Sequence, residues 1–296
     1  MMHIIYSVLI LSFFIFIPQA HSIDLGDTLK VIINSNTSGK TGNESKEVSA
    51  PDAPANEKIF GIKNYSEDEE IQMGREIAGN LLGASQLVKD AALQKYVNQV
   101  GRWVANQSER EKLQWHFGVV ESEDINAFAM PGGYVIITKG LYRKLENEAQ
   151  LAGVLAHEIA HVVRSHHLKI LQKSQLLDLG ANLIGKKIGE DNKIIQKVIG
   201  SGAEICARSL DKNAEFEADR MGVALTARAG YEPYGLPEVL QAIGQTNTND
   251  ANVALLFKTH PHPDDRLVKL DESIGNRLDE IKNGKTLNNR FYRLKN

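Results

Sequence analysis

Two histidines and a glutamate in the sequence have the types and spacing of a metal site that activates water. The stretch LAGVLAHEIAHVVRSHH holds His157 and His161 four positions apart, with Glu158 directly after the first histidine. On an α-helix, a step of four residues places two side chains one turn apart on one face, so both imidazoles can bind one ion. Glu158 projects about 100° from His157 and can take a proton from the activated water.

The residues around this motif predict that its helix is buried. LAGVLA precedes the first histidine and two valines follow the second. Buried histidines and carboxylates cost free energy unless they are paired or bind a metal. The alternative is a core helix whose polar residues bind no metal, and the burial cost disfavours it.

A second acidic stretch, DKNAEFEADRMGVALTARAG, offers a third ligand. It is predicted to be helical, so Glu215 and Asp219 share a face because they are four residues apart, while Glu217 points elsewhere. One of the pair can bind zinc and the other can hold a ligand histidine from outside. On this stretch alone, a solvated acidic helix face is the simpler interpretation.

Three further histidines lie near these stretches. His260, on a proline-flanked loop in THPHPDDR, can face the metal, either to stabilise the oxyanion of the tetrahedral intermediate or to act as a self-inhibitory ligand that gates the site. The alternative is a loop histidine that caps a neighbouring element. His166 and His167 follow His161 by five and six residues, so we expect them off the ligand face, as helix C-terminal residues that favour the dipole.

The elements that must position these residues follow from the sequence pattern. Ser66 and Glu69 have the spacing of a capping box and predict the start of a first helix, and AALQKYVNQVGRWVANQ predicts a second. WHFGVVES and YVIITKG are β-rich, with Tyr134 to Thr138 predicted as a strand after a Pro-Gly-Gly turn. The pattern predicts a mostly helical α+β fold, with a small sheet beside the helix of the H-E-x-x-H motif.

Two stretches within this fold have more than one interpretation. Asn126 to Thr138 is a candidate sheet edge on which a peptide substrate could add as a strand, or else an ordinary hairpin in which Asn126 is only a turn residue. Leu168 to Ala207 is apolar but broken by glycines and charges, which predicts two or three short helices and not a membrane span.

The composition excludes some classes of function. The 296 residues carry a net charge of −3 with scattered Lys and Arg, so we expect no nucleic-acid partner. The single cysteine, Cys206, cannot form an intramolecular disulfide, and we interpret it as a small buried residue. Arg208 is expected either to pair with the acidic stretch or to form a surface ion pair of little worth.

The N-terminal region predicts export. An apolar run from Ile4 to Ile17, followed by Ala20 and Ser22, indicates a signal peptide over residues 1–22 that is cleaved after Ser22; an uncleaved anchor is the alternative. Residues 23–58 are rich in Asn, Ser, Gly and Pro and predict a flexible linker. Residues 59–296 are then expected to form the one folded domain.

Four ordered stretches together resemble a known family. They are INAFAMPGGYVIITKGL, NEAQLAGVLAHEIAHVVRSH, AEFEADRMG and THPHPDDRL, within Ser66 to Leu270. This set is similar to the zinc metallopeptidase family that includes HtpX, the CAAX prenyl protease and the periplasmic proteins BepA and LoiP. The resemblance implies that Glu215, the first residue of an E-x-x-A-D motif, is the third zinc ligand, and that Asp219 orients a ligand histidine.

The same resemblance implies the remaining roles. His157 and His161 match the family's histidine ligands, and Glu158 matches its general base. It implies a gluzincin-like domain with one Zn²⁺ per chain, most similar to exported single-domain members such as LoiP and to the protease domain of BepA. The expected function is periplasmic protein quality control, with misfolded or misassembled envelope proteins as substrates and membrane association if the signal is retained.

Two other classes of function stay open at this point. In one, the chain is a chaperone-like zinc-binding module for envelope proteins with little proteolysis. In the other, it is a structural helical protein without a metal.

Overall fold

The computed structural model describes residues 64–172, 211–247, 250–278 and 280–294. The predicted signal peptide, the whole of the predicted linker and the predicted start of the domain at residue 59 lie outside these ranges, as do Cys206, Arg208 and most of the stretch from Leu168 to Ala207. Among the described residues, no helix combines the length and apolarity needed to cross a membrane.

The described residues form a mostly helical α+β fold with one small sheet, so the predicted class is confirmed. The helices are α1 (Glu67–Ala84), α2 (Ala91–Ala105), α3 (Lys139–Lys144), α4 (Glu148–Val163), α5 (Lys212–Arg228), α6 (Gly235–Gly244), α7 (Ala251–Thr259) and α8 (Pro263–Ile274). The strands are β1 (His116–Val120), β2 (Ala127–Met130) and β3 (Tyr134–Thr138), and 3₁₀ turns occupy Pro131–Gly133 and Gly275–Leu278.

The first helix begins as the sequence predicts. The Ser66 hydroxyl accepts a hydrogen bond from the Glu69 backbone N–H at 3.3 Å, and the Glu69 carboxylate accepts one from the Ser66 N–H at 3.0 Å. The helix of the H-E-x-x-H motif is α4, which begins when the Asn147 side chain accepts from the Gln150 N–H at 2.9 Å. Local capping chemistry therefore determines where both helices start.

The sheet has the order β1-β3-β2, with β1 parallel and β2 antiparallel to β3. The predicted strand Tyr134–Thr138 is confirmed, but β3 is the central strand, so only β2 can serve as an edge in the predicted stretch. The turn between β2 and β3 needs glycine at Gly132, whose φ is 73° and where an added Cβ would lie 2.5 Å from the Ile71 Cα.

The outer edge of β1 is closed by two side-chain amides from α2. Gln94 accepts from the Val119 N–H at 3.0 Å and donates to the Val119 carbonyl at 2.9 Å. Asn98 makes the same pair of contacts with Phe117. Because these bonds satisfy the outward backbone groups of both residues, β1 cannot accept another strand there.

Helix α4 is the centre of the packed structure. Its residues from Glu148 to Val162 are all buried, and it packs mainly against α5 and α6, with the sheet beside it. Helix α5 approaches α4 closely at Gly222, where an added Cβ would lie 3.1 Å from the His157 backbone nitrogen. The two helices that carry the candidate ligands therefore meet beside the first histidine.

The start of α4 is held by a carboxylate that the sequence did not single out. Glu148 is fully buried and accepts hydrogen bonds from the Tyr96 and Tyr231 hydroxyls at 2.9 and 2.7 Å. Arg290, from the C-terminal segment, donates to the same carboxylate at 2.8 Å. Burial raises the pKa of Glu148, but these three donors lower it overall, so the carboxylate is ionised and joins three elements to the start of α4.

Candidate metal centre

Four side chains from three elements converge at one point. His157 and His161 come from α4, Glu215 from the first turn of α5, and His260 from the residue that caps α7. One potential ligand atom from each of the four lies within 4.8 Å of those from the other three. The sequence placed these residues in three separate stretches, and the fold brings them together.

The distances within this cluster suit a cation between the side chains. The two Nε2 atoms of His157 and His161 lie 3.0 Å apart, and the Glu215 oxygens lie 3.6 and 3.5 Å from them. The Glu215 Oε1 atom is buried and has no hydrogen-bond partner among the described residues. Two imidazoles, a carboxylate and an orphaned buried oxygen form the donor set of a zinc site, so these residues fit Zn²⁺.

The electrostatics of the cluster favour the ligand forms of two members. Burial holds the pKa of His161 well below its ordinary value, which keeps the imidazole neutral, as metal binding requires. Burial alone would raise the pKa of the Glu215 carboxyl. His260 and His161 lower it by a larger amount, so the resulting pKa is well below the ordinary value. Glu215 is therefore an ionised carboxylate in the core, where a cation compensates its charge.

The second nitrogen of His157 contacts a buried ion pair. Its Nδ1 lies 3.0 Å from the Asp219 carboxylate, which accepts two hydrogen bonds from Arg266 at 2.9 and 2.6 Å. Burial and Arg266 lower the pKa of His157, but Asp219 and Glu215 raise it to about 9. Burial raises the pKa of Asp219, and Arg266 lowers it to about 2. Asp219 and Glu215 thus stabilise a positive charge on the His157 imidazole.

Arg266 is a residue of this site that the sequence analysis missed. It lies in the THPHPDDRL stretch, in which the sequence pattern singled out His260. In α8 it shares a helical face with Leu270, four residues later, and both are buried. An arginine on an apolar face needs a carboxylate partner, and that spacing was the signal that could have identified it.

Our prediction for His166 and His167 is wrong in one part: neither is among the potential ligands, as expected, but neither is a C-terminal residue of α4. It assumed that α4 continues past His161, but the helix ends at Val163 and Ser165 has a φ of 52°. This turn brings His166 back, so that its Nδ1 lies 2.9 Å from the Nδ1 of His161. His167 is also buried, with its ring centroid 6.0 Å from that of His161.

Glu217 was expected to point away from the site. It does lie off the face of Glu215, but its Oε2 atom is 3.3 Å from the Nε2 of His166. The cause is the turn after α4, which places His166 on the side of α5 to which Glu217 projects.

Glu158 lies at the wall of an apolar pocket beside the cluster. The pocket is also lined by His157 and His260. Most of its remaining lining is apolar: Ala127, Leu141, Val154, Leu236, Val239, Leu240, Ile243, Leu256, Pro261 and Pro263. The Glu158 side chain has no hydrogen bond to another described residue, and burial raises the pKa of its carboxyl, which makes the carboxylate a stronger base than an exposed one.

His260 faces the cluster from the loop between α7 and α8. Its Nδ1 lies 2.7 Å from the Glu215 Oε2, and its ring centroid lies 5.8 and 6.3 Å from those of His157 and His161. This position is among the potential ligand atoms and not at a neighbouring element.

The edge of β2 is the open edge of the sheet within the described ranges. The Thr138 N–H donates to the Asn126 carbonyl at 3.0 Å, so the alternation of the ladder turns the backbone groups of Ala127 and Ala129 outward. The Asn126 side chain accepts from the Ala127 N–H at 2.9 Å. The outward N–H and C=O of Ala129 bond no other described residue, but Ala129 is only 2% exposed, so an added strand can reach them only if neighbouring residues move.

Known proteins are similar to this chain over much of the described region. A model of Peptidase family M48 matches residues 91–274. The chain is 30% identical over 232 residues to the beta-barrel assembly-enhancing protease of Yersinia pestis, covering 76% of this chain and 47% of that protein. Over 207 residues it is 30% identical to the protein of that name from Escherichia coli (strain K12), covering 68% and 42%.

A more distant similarity extends to a eukaryotic protein. The mitochondrial metalloendopeptidase OMA1 of Arabidopsis thaliana is 27% identical over 177 residues, which cover 60% of this chain and 35% of that protein. The chain thus spans less than half of the length of each of these three relatives.

Proposed function

Because this chain belongs to Peptidase family M48, we propose that it is a zinc-dependent endopeptidase. The membership confirms the family resemblance that the four sequence stretches indicated. In this proposal His157, His161 and Glu215 hold one zinc ion per chain, in a gluzincin-like domain. The observation that carries it is the orphaned Oε1 of Glu215, a buried anionic oxygen beside two facing imidazole nitrogens.

The proton transfers of the reaction fall to Glu158. A bound zinc ion would supply Lewis acidity, which activates water for attack and polarises the peptide carbonyl. Glu158 takes the proton of the attacking water and then carries it to the leaving amine. Its place in the pocket wall puts it in reach of a peptide bond, and its raised pKa makes the carboxylate a stronger base for the first transfer. Asp219 holds His157 in position, as its 3.0 Å contact suggests.

The substrate in this proposal is an extended polypeptide. Once the residues that cover Ala129 move, its outward N–H and C=O can pair with a peptide strand, which gives affinity with little demand on sequence. Ala127 borders the apolar pocket, so a peptide on this edge can place an aliphatic or aromatic side chain there, next to Glu158. The closed edge of β1 leaves β2 as the edge available among the described strands.

The cellular role follows from the predicted signal peptide and from the relatives. Two relatives are named as proteases that enhance beta-barrel assembly, and a third as a metalloendopeptidase. We propose that this chain acts in the periplasm on misfolded or misassembled envelope proteins. Retention of the signal at residues 1–22 would keep the enzyme at the membrane.

Removal and return of zinc tests the proposed function. We expect the purified chain to contain one zinc ion, to cleave casein, to stop when a chelator removes the ion and to recover when zinc is returned. Mass spectrometry of the fragments should show an aliphatic or aromatic residue next to the cleaved bonds. Cleavage that persists after elemental analysis shows that the metal is gone would contradict a zinc mechanism.

His260 is proposed to gate the site by taking the metal's open coordination position. The carrying observation is the position of His260, one ring nitrogen of which lies within 4.8 Å of the potential ligand atoms of His157, His161 and Glu215. We expect His260→Ala to raise basal casein cleavage several-fold, because the loop no longer competes with substrate. The matched control is His262→Ala. His262 lies two residues further along the same loop, and its side chain is more exposed than that of His260.

The sign of the change distinguishes two roles of His260. A fall of about 10²–10³-fold would instead assign the histidine to oxyanion stabilisation. Cleavage equal to that of the control would contradict any metal-facing role.

A further inference from the structure

Each candidate ligand histidine has a partner on its outer nitrogen, and both chains of contacts end at a carboxylate of α5. For His157 the partner is direct, because its Nδ1 meets Asp219. For His161 the partner is another imidazole, because its Nδ1 meets the Nδ1 of His166, whose Nε2 meets Glu217. Outer partners of this kind orient a metal-bound histidine and set its tautomer.

The second chain of contacts resembles the first, although it is longer and ends at a partly exposed carboxylate. The distances are 2.9 Å from His161 to His166 and 3.3 Å from His166 to Glu217. The other oxygen of Glu217 lies 3.1 Å from Nε of Arg164, just as the carboxylate of Asp219 binds Arg266. Both carboxylates therefore contact an arginine as well as a histidine.

The contacts allow one consistent placement of protons when His161 is a ligand. Its Nε2 must then be free of hydrogen to bind the metal, so its Nδ1 carries the proton. That N–H donates to the Nδ1 of His166, which must accept. His166 therefore carries its own proton on Nε2, where it donates to the carboxylate of Glu217. The chain of contacts selects the tautomer that zinc binding needs.

A backbone feature supports this arrangement. Ser165 has a φ of 52°, in the left-handed region that costs free energy for a residue other than glycine. This turn is what returns His166 to the buried side of His161. A continuous helix would have carried it around the axis and away from the ligand.

We propose that His166 and Glu217 form a relay that positions His161 for zinc, with His166 as a positioning residue that does not touch the substrate. This inference rests on the proposed zinc site. It assigns a role to a histidine outside the H-E-x-x-H motif and to the middle acidic residue of α5.

The test compares zinc affinity among full-length variants by competition with a chelator. We expect His166→Phe, which keeps the ring volume but neither accepts nor donates, to weaken zinc binding about 10–100-fold. His166→Asn should recover most of the affinity, because its amide oxygen stands close to where Nδ1 accepts. Glu217→Gln should fall between wild type and His166→Phe.

A spectroscopic readout separates positioning from general damage to the fold. With Co²⁺ in place of zinc, His166→Phe should alter the visible absorption bands, whereas His167→Phe should leave them as in the wild type. His167 is the matched control, because it is an adjacent buried histidine whose Nδ1 has no partner among the described residues.

Two results would overturn the relay. One is a zinc affinity and Co²⁺ spectrum for His166→Phe equal to those of the His167 control. If His166→Phe does not fold, Glu217→Leu decides, since this change removes the acceptor from a partly exposed position, and an unchanged zinc affinity would overturn the proposal. Absence of zinc binding in the wild type would instead refute the proposed function itself.

Discussion

Replacing Glu158 with glutamine is expected to lower casein cleavage by about 10²–10⁴-fold, the usual contribution of a general base, while the zinc content stays at one ion per chain. Glutamine has nearly the same shape but cannot take a proton from water. The Glu158 side chain makes no hydrogen bond to another described residue, so the change removes no side-chain hydrogen bond that holds the fold. Cleavage rate and elemental analysis of the same preparation measure both parts of this expectation.

The matched control is Glu111→Gln, an identical change at an exposed position away from the candidate site. We expect this variant to cleave at the wild-type rate. Undiminished cleavage by Glu158→Gln would remove the residue from the proton transfers, even if the chain is a protease.

The same variant distinguishes the enzyme from the chaperone-like binding module. If the chain acts as an endopeptidase that depends on Glu158, the Glu158→Gln variant should fail to complement a deletion of the gene. Full complementation would favour a binding role with little proteolysis. Because the inactive variant still binds polypeptides, affinity purification from the periplasm should also enrich the substrates that wild-type enzyme degrades.

The parts of the site that could be predicted from the sequence are those set by local spacing. The step of four residues from His157 to His161 has one outcome on a helix, and the same holds for Glu215 and Asp219 on α5. The capping box at Ser66 and the β-rich strand from Tyr134 are similarly local. No knowledge of the remaining chain is needed to place these residues within their elements.

The outer contacts could not be predicted, because they depend on how elements meet. His166 faces His161 only because Ser165 takes a left-handed conformation, which the sequence RSHH does not indicate. Glu217 then gains a partner because α5 packs on that side. Arg266 reaches Asp219 from a helix 47 residues further along the chain. Sequence spacing states which face a side chain occupies, and not what lies opposite.

The closure of one sheet edge has the same origin. Gln94 and Asn98 are four residues apart on α2, a spacing visible in the sequence, but their amides acquire a role only when the helix lies along β1. That contact makes β2 the candidate edge for substrate. The sequence indicated the stretch from Asn126 to Thr138 as a candidate edge. Which strand of that stretch lies at the edge became clear only from the hydrogen-bonding order of the sheet.

Replacing Glu215 with glutamine is expected to have the largest effect on metal binding. The substitution removes the anionic charge that two histidines face, at 3.5 and 3.6 Å, and leaves a neutral amide in nearly the same volume. We expect zinc affinity to fall by more than about 100-fold, beyond the range typical of outer contacts, and casein cleavage to be lost with the metal. Chelator competition and elemental analysis measure the first effect.

Two neighbours on α5 serve as controls for Glu215, because neither is a proposed ligand: Asp219 contacts the ligand His157 directly, and Glu217 reaches the ligand His161 only through His166. Asp219→Asn and Glu217→Gln should weaken zinc binding by at most about 10–100-fold, so the three variants form a graded series. A metal affinity for Glu215→Gln that matches either neighbour would show that this carboxylate does not bind the ion. The third ligand would then have to be His260, which is the other candidate within the cluster among the described residues. His260→Ala would in that case remove the metal instead of opening the site, so the two variants together assign the coordination.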